Sequence, residues 1–192
     1  MAIRRIAVTG GPGAGKTTLW RAIADAYEDR IVALPEVATM LLTHVFPQPQ
    51  NEAERHALQR SIFAVQRNLE AVHESRLRAD QVLLCDRGTP DGAGYWPAGP
   101  DAFFAAMEAD WETELARYDA VLFLETAAAG GLSIAEGNAV RLEDHAAAIA
   151  IDRSIHGVWA RHPRFHHVAH ERDFKVKIAR GKGALASLLD LP

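Results

Sequence analysis

The chain has little cysteine and no excess of positive charge, and both shortages narrow what it can be. Cys85 is the single cysteine among 192 residues, so no disulfide can form within the chain. That suits a reducing compartment, and a cytoplasmic location is expected. No apolar run approaches the roughly 20 residues of a membrane span, so no membrane partner is expected. Arg4 and Arg5 precede a short apolar stretch that runs into glycines, the pattern of a first strand and not of a signal peptide. Lys and Arg number 21 against 25 Asp and Glu, a net charge of -4, whereas nucleic-acid binders are usually basic. No nucleic-acid partner is therefore expected. His162, His166, His167 and His170 lack the spacing and the cysteine partners of a closed zinc site. Internal repeats and low-complexity tracts are also missing.

What is present begins with glycine. Residues 10–17 read Gly10-Gly11-Pro12-Gly13-Ala14-Gly15-Lys16-Thr17 and fit G-x-x-x-x-G-K-[ST], the phosphate-binding loop. The run Ile6-Ala7-Val8-Thr9 before it reads as a buried strand. Leu19, Trp20, Ile23, Ala24 and Tyr27 after it carry a helical period. That strand-then-helix context is the one the motif requires. Glycines let the backbone curl round an anion and turn N–H groups toward it, and the following helix adds its positive dipole end. The expected nucleotide-binding set is Gly11, Pro12, Gly13, Ala14, Gly15, Lys16, Thr17 and Thr18. Within it Lys16 serves the β- and γ-phosphates and the Thr17 hydroxyl serves Mg²⁺.

Further along, strands alternate with helices, which gives an α/β fold with a parallel sheet covered on both faces. Strands are expected at 31–34, 81–86, 120–124 and 165–169. Helices are expected through Met40 and Leu42, over 51–79, over 101–117, from Val140 onward and at the C-terminus. In the long helix 51–79 the apolar stripe reads Leu58, Ile62, Val65, Leu69 and Val72, with Gln59, Gln66 and Arg67 either solvated or facing a substrate. The length suits a single domain over 1–192, with the Ala- and Gly-rich segment about 126–142 as a mobile lid.

Three strand ends carry candidate chemistry, because ligands of open parallel sheets bind outside the C-terminal edge. Glu36 follows the second strand. Asp86 ends the third, in the form of a Walker B strand, and can hold Mg²⁺ or orient an attacking hydroxyl. Arg87, next in line, can clamp an acceptor or form an ion pair with Asp86 or Asp91. Tyr95 and Trp96 can stack a planar acceptor or fill a groove. Arg141, at the end of the lid, is the first candidate for neutralising a transferring phosphoryl group, and Arg153 the second.

The loop 10–17, Pro35-Glu36, the helix carrying Gln59 and Gln66, and Asp86-Arg87-Gly88-Thr89-Pro90-Asp91 together resemble a set of small bacterial P-loop proteins described as AAA-type ATPases. These resemble nicotinamide riboside kinase, deoxynucleoside kinases and thymidylate kinase in turn. The resemblance covers nearly the whole chain. It implies a three-layer nucleoside-kinase-like fold with five parallel strands in the order 2-3-1-4-5 and a lid after the fourth. It also implies that Glu36 and Arg87 meet the acceptor and that Arg141 meets phosphate, although this lid is short of arginine. There is no room for a second helical domain, so a hexameric motor is not expected.

The reading that follows is ATP- and Mg²⁺-dependent phosphoryl transfer to a small-molecule hydroxyl. Lys16, Glu36, Asp86 and Arg141 are the catalytic set, with either Glu36 or Asp86 as base. Glu36, Arg87, Tyr95 and Trp96 bind the acceptor, and Thr17 and Asp86 hold the metal. No Asn-Lys-x-Asp guanine reader is present, which favours ATP over GTP. The alternative is a nucleotide-binding switch or slow ATPase acting through a protein partner. A homodimer is left open.

Overall fold

The computed structural model describes residues 4–131 and 145–189. Five strands form one parallel sheet: β1 (Arg5–Thr9), β2 (Ile31–Leu34), β3 (Val82–Asp86), β4 (Ala120–Leu124) and β5 (Phe165–Val168). Their order is β2-β3-β1-β4-β5, as expected. Every residue of β1, β3 and β4 is buried, because helices cover both faces of the sheet. The period of two along each strand sorts the core into two layers. Ile6, Val8, Leu84 and Leu122 face α1 (Lys16–Ala26) and the C-terminal helix, meeting Leu19, Ile23 and Leu185. Ala7, Leu83, Cys85, Val121 and Phe123 face the opposite way, onto Ile155 and Trp159.

The other helices are α2 (Val37–His44), α3 (Glu52–Glu74), α4 (Pro100–Ala106), α5 (Trp111–Leu115), α6 (His145–Trp159) and α7 (Phe174–Leu188). A 3₁₀ helix, Thr89–Tyr95, lies between β3 and α4, where a loop was expected. Among the described residues no helix is long and apolar enough to cross a membrane.

Two local expectations are corrected. The helix expected over 101–117 is two helices, α4 and α5, because Glu108 adopts φ 51°, which no helix accommodates. Asp110 then caps α5, accepting from the Thr113 amide at 2.7 Å. The buried face of α3 is also rotated. Val72 is exposed, whereas Leu58, Phe63, Gln66 and Glu70 are buried. Polar residues hold that face because an ionic network needs them. The Glu70 carboxylate accepts from Arg5 at 3.2 Å, Arg117 at 2.6 Å, the Tyr118 hydroxyl at 2.5 Å and Gln66 at 2.8 Å. A period-based reading assigns such positions to solvent, since it knows nothing of partners from β1 and from beyond α5.

Candidate functional site

β1 ends beneath the loop 10–17, and its register with β3 sets the rest of the site. Val8 lies opposite Asp86, so the carboxylate that ends β3 emerges beside the loop. The Thr17 hydroxyl donates to Asp86 Oδ2 at 2.8 Å. Gly15 caps α1 at φ 88°, the left-handed region open to glycine, and a Cβ there would also strike the Phe174 ring at 2.6 Å. Lys16 is buried, and its ammonium donates to the Gly11 carbonyl at 2.8 Å, folded over the loop. Thr18 points to solvent.

Asp86 Oδ1 is buried and has no hydrogen-bond partner among the described residues. Burial, and next the negative charge of Glu36, raise its pKa. A buried carboxylate oxygen left bare beside a hydroxyl is an incomplete set of hard oxygen donors. It fits Mg²⁺, which takes one or two protein ligands and completes its shell with water and phosphate. Among the described residues no cluster of three or more His, Cys, Asp or Glu could hold a metal ion alone.

Next to Asp86, Arg87 adopts φ 79°, an uncommon conformation for a residue with a side chain. Its surroundings hold it there. Its carbonyl accepts from Gln66 at 3.3 Å. Its guanidinium pairs with Glu36, with Asp91 at 3.0 Å, with the Tyr95 hydroxyl at 3.0 Å and with the Gly10 carbonyl at 3.3 Å. Asp91 is fixed in turn by the Gly88 amide and the Trp159 indole N–H, both at 3.0 Å. Thr39 donates to the second oxygen of Glu36 at 2.7 Å. Of the two ion-pair partners considered for Arg87, the structure supplies Asp91 and not Asp86, and adds Glu36.

Above this network opens a cavity of about 370 Å³, between α2, α3 and the 3₁₀ helix. Glu36, Arg87, Asp91 and Tyr95 form its polar end. Val37, Leu42, Leu58 and Ile62 form an apolar wall, and the amides of Gln59 and Gln66 reach in from α3. Three of the four expected acceptor residues, Glu36, Arg87 and Tyr95, thus share one pocket. Trp96 does not join them, and its assignment to the acceptor is corrected. It is buried on Phe103 and stacks on His56 at 3.8 Å between ring centroids, because the large indole is better removed from water in that closed aromatic cluster.

The first lid candidate, Arg141, lies outside the described residues, as does most of the segment about 126–142. Arg153 is exposed on α6. Its neighbour Asp152 meets the loop instead, accepting from the Gly11 amide at 2.7 Å and the Thr126 amide at 3.0 Å. Two further residues from outside the loop, Thr126 and Lys177, also contact it. Lys177 donates to the Ala14 carbonyl at 2.8 Å across 163 positions, and no local pattern signals a contact at that separation. Gln66 was legible only as one of two possibilities, solvated or facing a substrate.

The arrangement can seat a polyphosphate on the loop and a second molecule in the cavity, with Asp86 and Arg87 joining the two. No curated protein matches the chain. The family model described as an AAA domain matches residues 5–175, from the first residue of β1 into α7. The chain belongs to the AAA domain family of P-loop nucleotide-binding proteins.

Proposed function

We propose that the protein transfers the terminal phosphoryl group of Mg-ATP to a hydroxyl of a small molecule held in the cavity above Glu36 and Arg87. The observation that carries this reading is the second pocket itself. A nucleotide switch needs the loop and a responsive segment; it has no use for a cavity of about 370 Å³ whose polar end is wired to the loop through Arg87 and the Gly10 carbonyl.

The residues divide the work. Lys16 neutralises the β- and γ-phosphates, leaving the Gly11 carbonyl for them. Thr17 and Asp86 hold Mg²⁺, which when bound supplies charge neutralisation across the phosphate oxygens. Glu36 lines the cavity and faces the acceptor, whereas the Asp86 carboxylate faces the loop. Glu36 is therefore the base that takes the hydroxyl proton, or orients that hydroxyl. Phosphoryl transfer asks little covalent chemistry of the protein, so positioning and charge carry the rate.

Arg87 spends its guanidinium on two buried carboxylates, a phenol and a carbonyl. The cavity lining holds two carboxylates, Glu36 and Asp91, and two guanidinium groups, Arg87 and Arg55, so its formal charges balance and do not select between a neutral and an anionic acceptor. The acceptor is a hydroxyl compound with a flat or apolar body, able to meet the amides of Gln59 and Gln66.

A panel of hydroxylated metabolites, each beside its phosphorylated or carboxylated counterpart, tests the reading with labelled Mg-ATP. Transfer to at least one member of the panel is expected. Glu36→Gln should keep Mg-ATP affinity while losing about 100-fold or more in transfer. Unchanged transfer in that variant would remove Glu36 from the role. ATP hydrolysis indifferent to every acceptor, but altered by a protein partner, would replace the kinase reading with the switch.

A further inference from the structure

We propose that Thr126 and Lys177 are positioning residues for the nucleotide phosphates: they pull two carbonyls of the loop outward and so aim the amides of Gly13 and Gly15 at the anion. The proposal rests on the loop binding a polyphosphate, and it adds how the loop is held ready to do so.

The argument starts from the planar trans peptide, in which a carbonyl and the N–H of the next residue point in opposite directions. Fixing one fixes the other. The Thr126 hydroxyl donates to the Pro12 carbonyl at 2.5 Å, so the Gly13 amide is turned the other way. The Lys177 ammonium donates to the Ala14 carbonyl at 2.8 Å, so the Gly15 amide is turned likewise. Both donors come from outside the loop. Thr126 follows β4, and Lys177 sits in the first turn of α7. They are 0% and 2% exposed, so water does not compete for either bond.

The same geometry runs in reverse two peptides before Pro12–Gly13. Asp152 draws the Gly11 amide outward at 2.7 Å, and the carbonyl of that peptide, Gly10, accepts from Arg87 at 3.3 Å. Three elements outside the loop thus dictate which of its groups face the ligand.

Packing alone does not account for Lys177. Burying an ammonium is unfavourable, and the pKa of Lys177 is lowered to about 8 by that burial. Its hydrogen-bond partners are carbonyls, Ala14 and Glu125, with the charges of Asp152 and Glu125 working against the burial. An apolar side chain of similar length would fill the space without the penalty. What only an amine or a hydroxyl supplies at these two positions is donation to loop carbonyls.

The test uses Mg²⁺-tripolyphosphate, which reports on the phosphate cradle alone, and Mg-ATP, both by calorimetry on the whole chain. Thr126→Val keeps the shape and removes the donor; Thr126→Ser keeps the donor. We expect Thr126→Val to bind both probes about 5-fold or more weakly, in line with the loss of one buried hydrogen bond, and Thr126→Ser to stay within about 2-fold of wild type. A merely structural role would lower thermal stability in the valine variant and leave affinity of the folded protein intact. Lys177→Met beside Lys177→Arg gives a second, independent reading should Thr126→Val fail to fold. Wild-type affinity in both Thr126→Val and Lys177→Met overturns the proposal while leaving the nucleotide reading in place. A wild-type protein that binds neither probe overturns both.

Discussion

Lys177 makes a prediction that needs no ligand. Its pKa stands at about 8 in the folded chain and at 10.5 for an ordinary lysine. Between those values the unfolded chain keeps its proton while the folded chain has released it. The unfolded state therefore binds more protons, and stability must rise with pH through this window. Integrating the one-site expression from pH 7 to 9.5 gives a gain of about 2 kcal/mol. Other groups titrate over the same range, so the quantity to follow is the difference between wild type and Lys177→Met. Urea unfolding of both proteins at pH 7, 8, 9 and 9.5 supplies it, and the remaining groups cancel. Wild type should gain about 2 kcal/mol on the variant across the series. A gap constant to within about 0.5 kcal/mol would show that burial does not depress this lysine. A gap moving the other way would show that the charges of Asp152 and Glu125 outweigh the lost hydration. Either result would refute the reasoning.

Two more predictions concern the buried polar framework. Glu70 is fully buried among Arg5, Arg117, Tyr118 and Gln66, so Glu70→Gln leaves guanidinium charge without its partner. Chemical denaturation should report a loss of about 3 kcal/mol or more, and a loss under about 1 kcal/mol would show that Glu74 and Glu114 suffice as partners for the arginines. Cys85 is fully buried, and burial followed by the charge of Glu70 pushes its thiol well above the usual range. Native protein at pH 8 should resist iodoacetamide and react fully in denaturant; labelling at the rate of a free thiol would contradict that environment.

The parts of this protein that were legible in the amino-acid order are those whose partners lie close along the chain. The glycine loop is contiguous, and the strand and helix beside it announce themselves by period. β2 and β4 fall where their apolar runs place them. Glu36, Asp86 and Arg87 could be picked out because each ends or closely follows a strand, and ends of parallel strands meet along one edge. The face of α3 was misread for the opposite reason. Gln66 and Glu70 are polar, and only distant arginines and the Arg87 carbonyl make their burial favourable.

Sequence alone therefore determined the phosphate loop, the α/β alternation and the carboxylates at the sheet edge, all properties of local composition and spacing. Tertiary structure decided that Trp96 fills a core, that Arg87 is bound to Glu36 and Asp91, and that Thr126, Asp152 and Lys177 hold the loop. The Arg87–Glu36 pair and the three contacts on the loop join residues 51 to 163 positions apart. A hydrogen bond depends on where atoms lie in space, and only the folded sheet brings such residues within reach of one another.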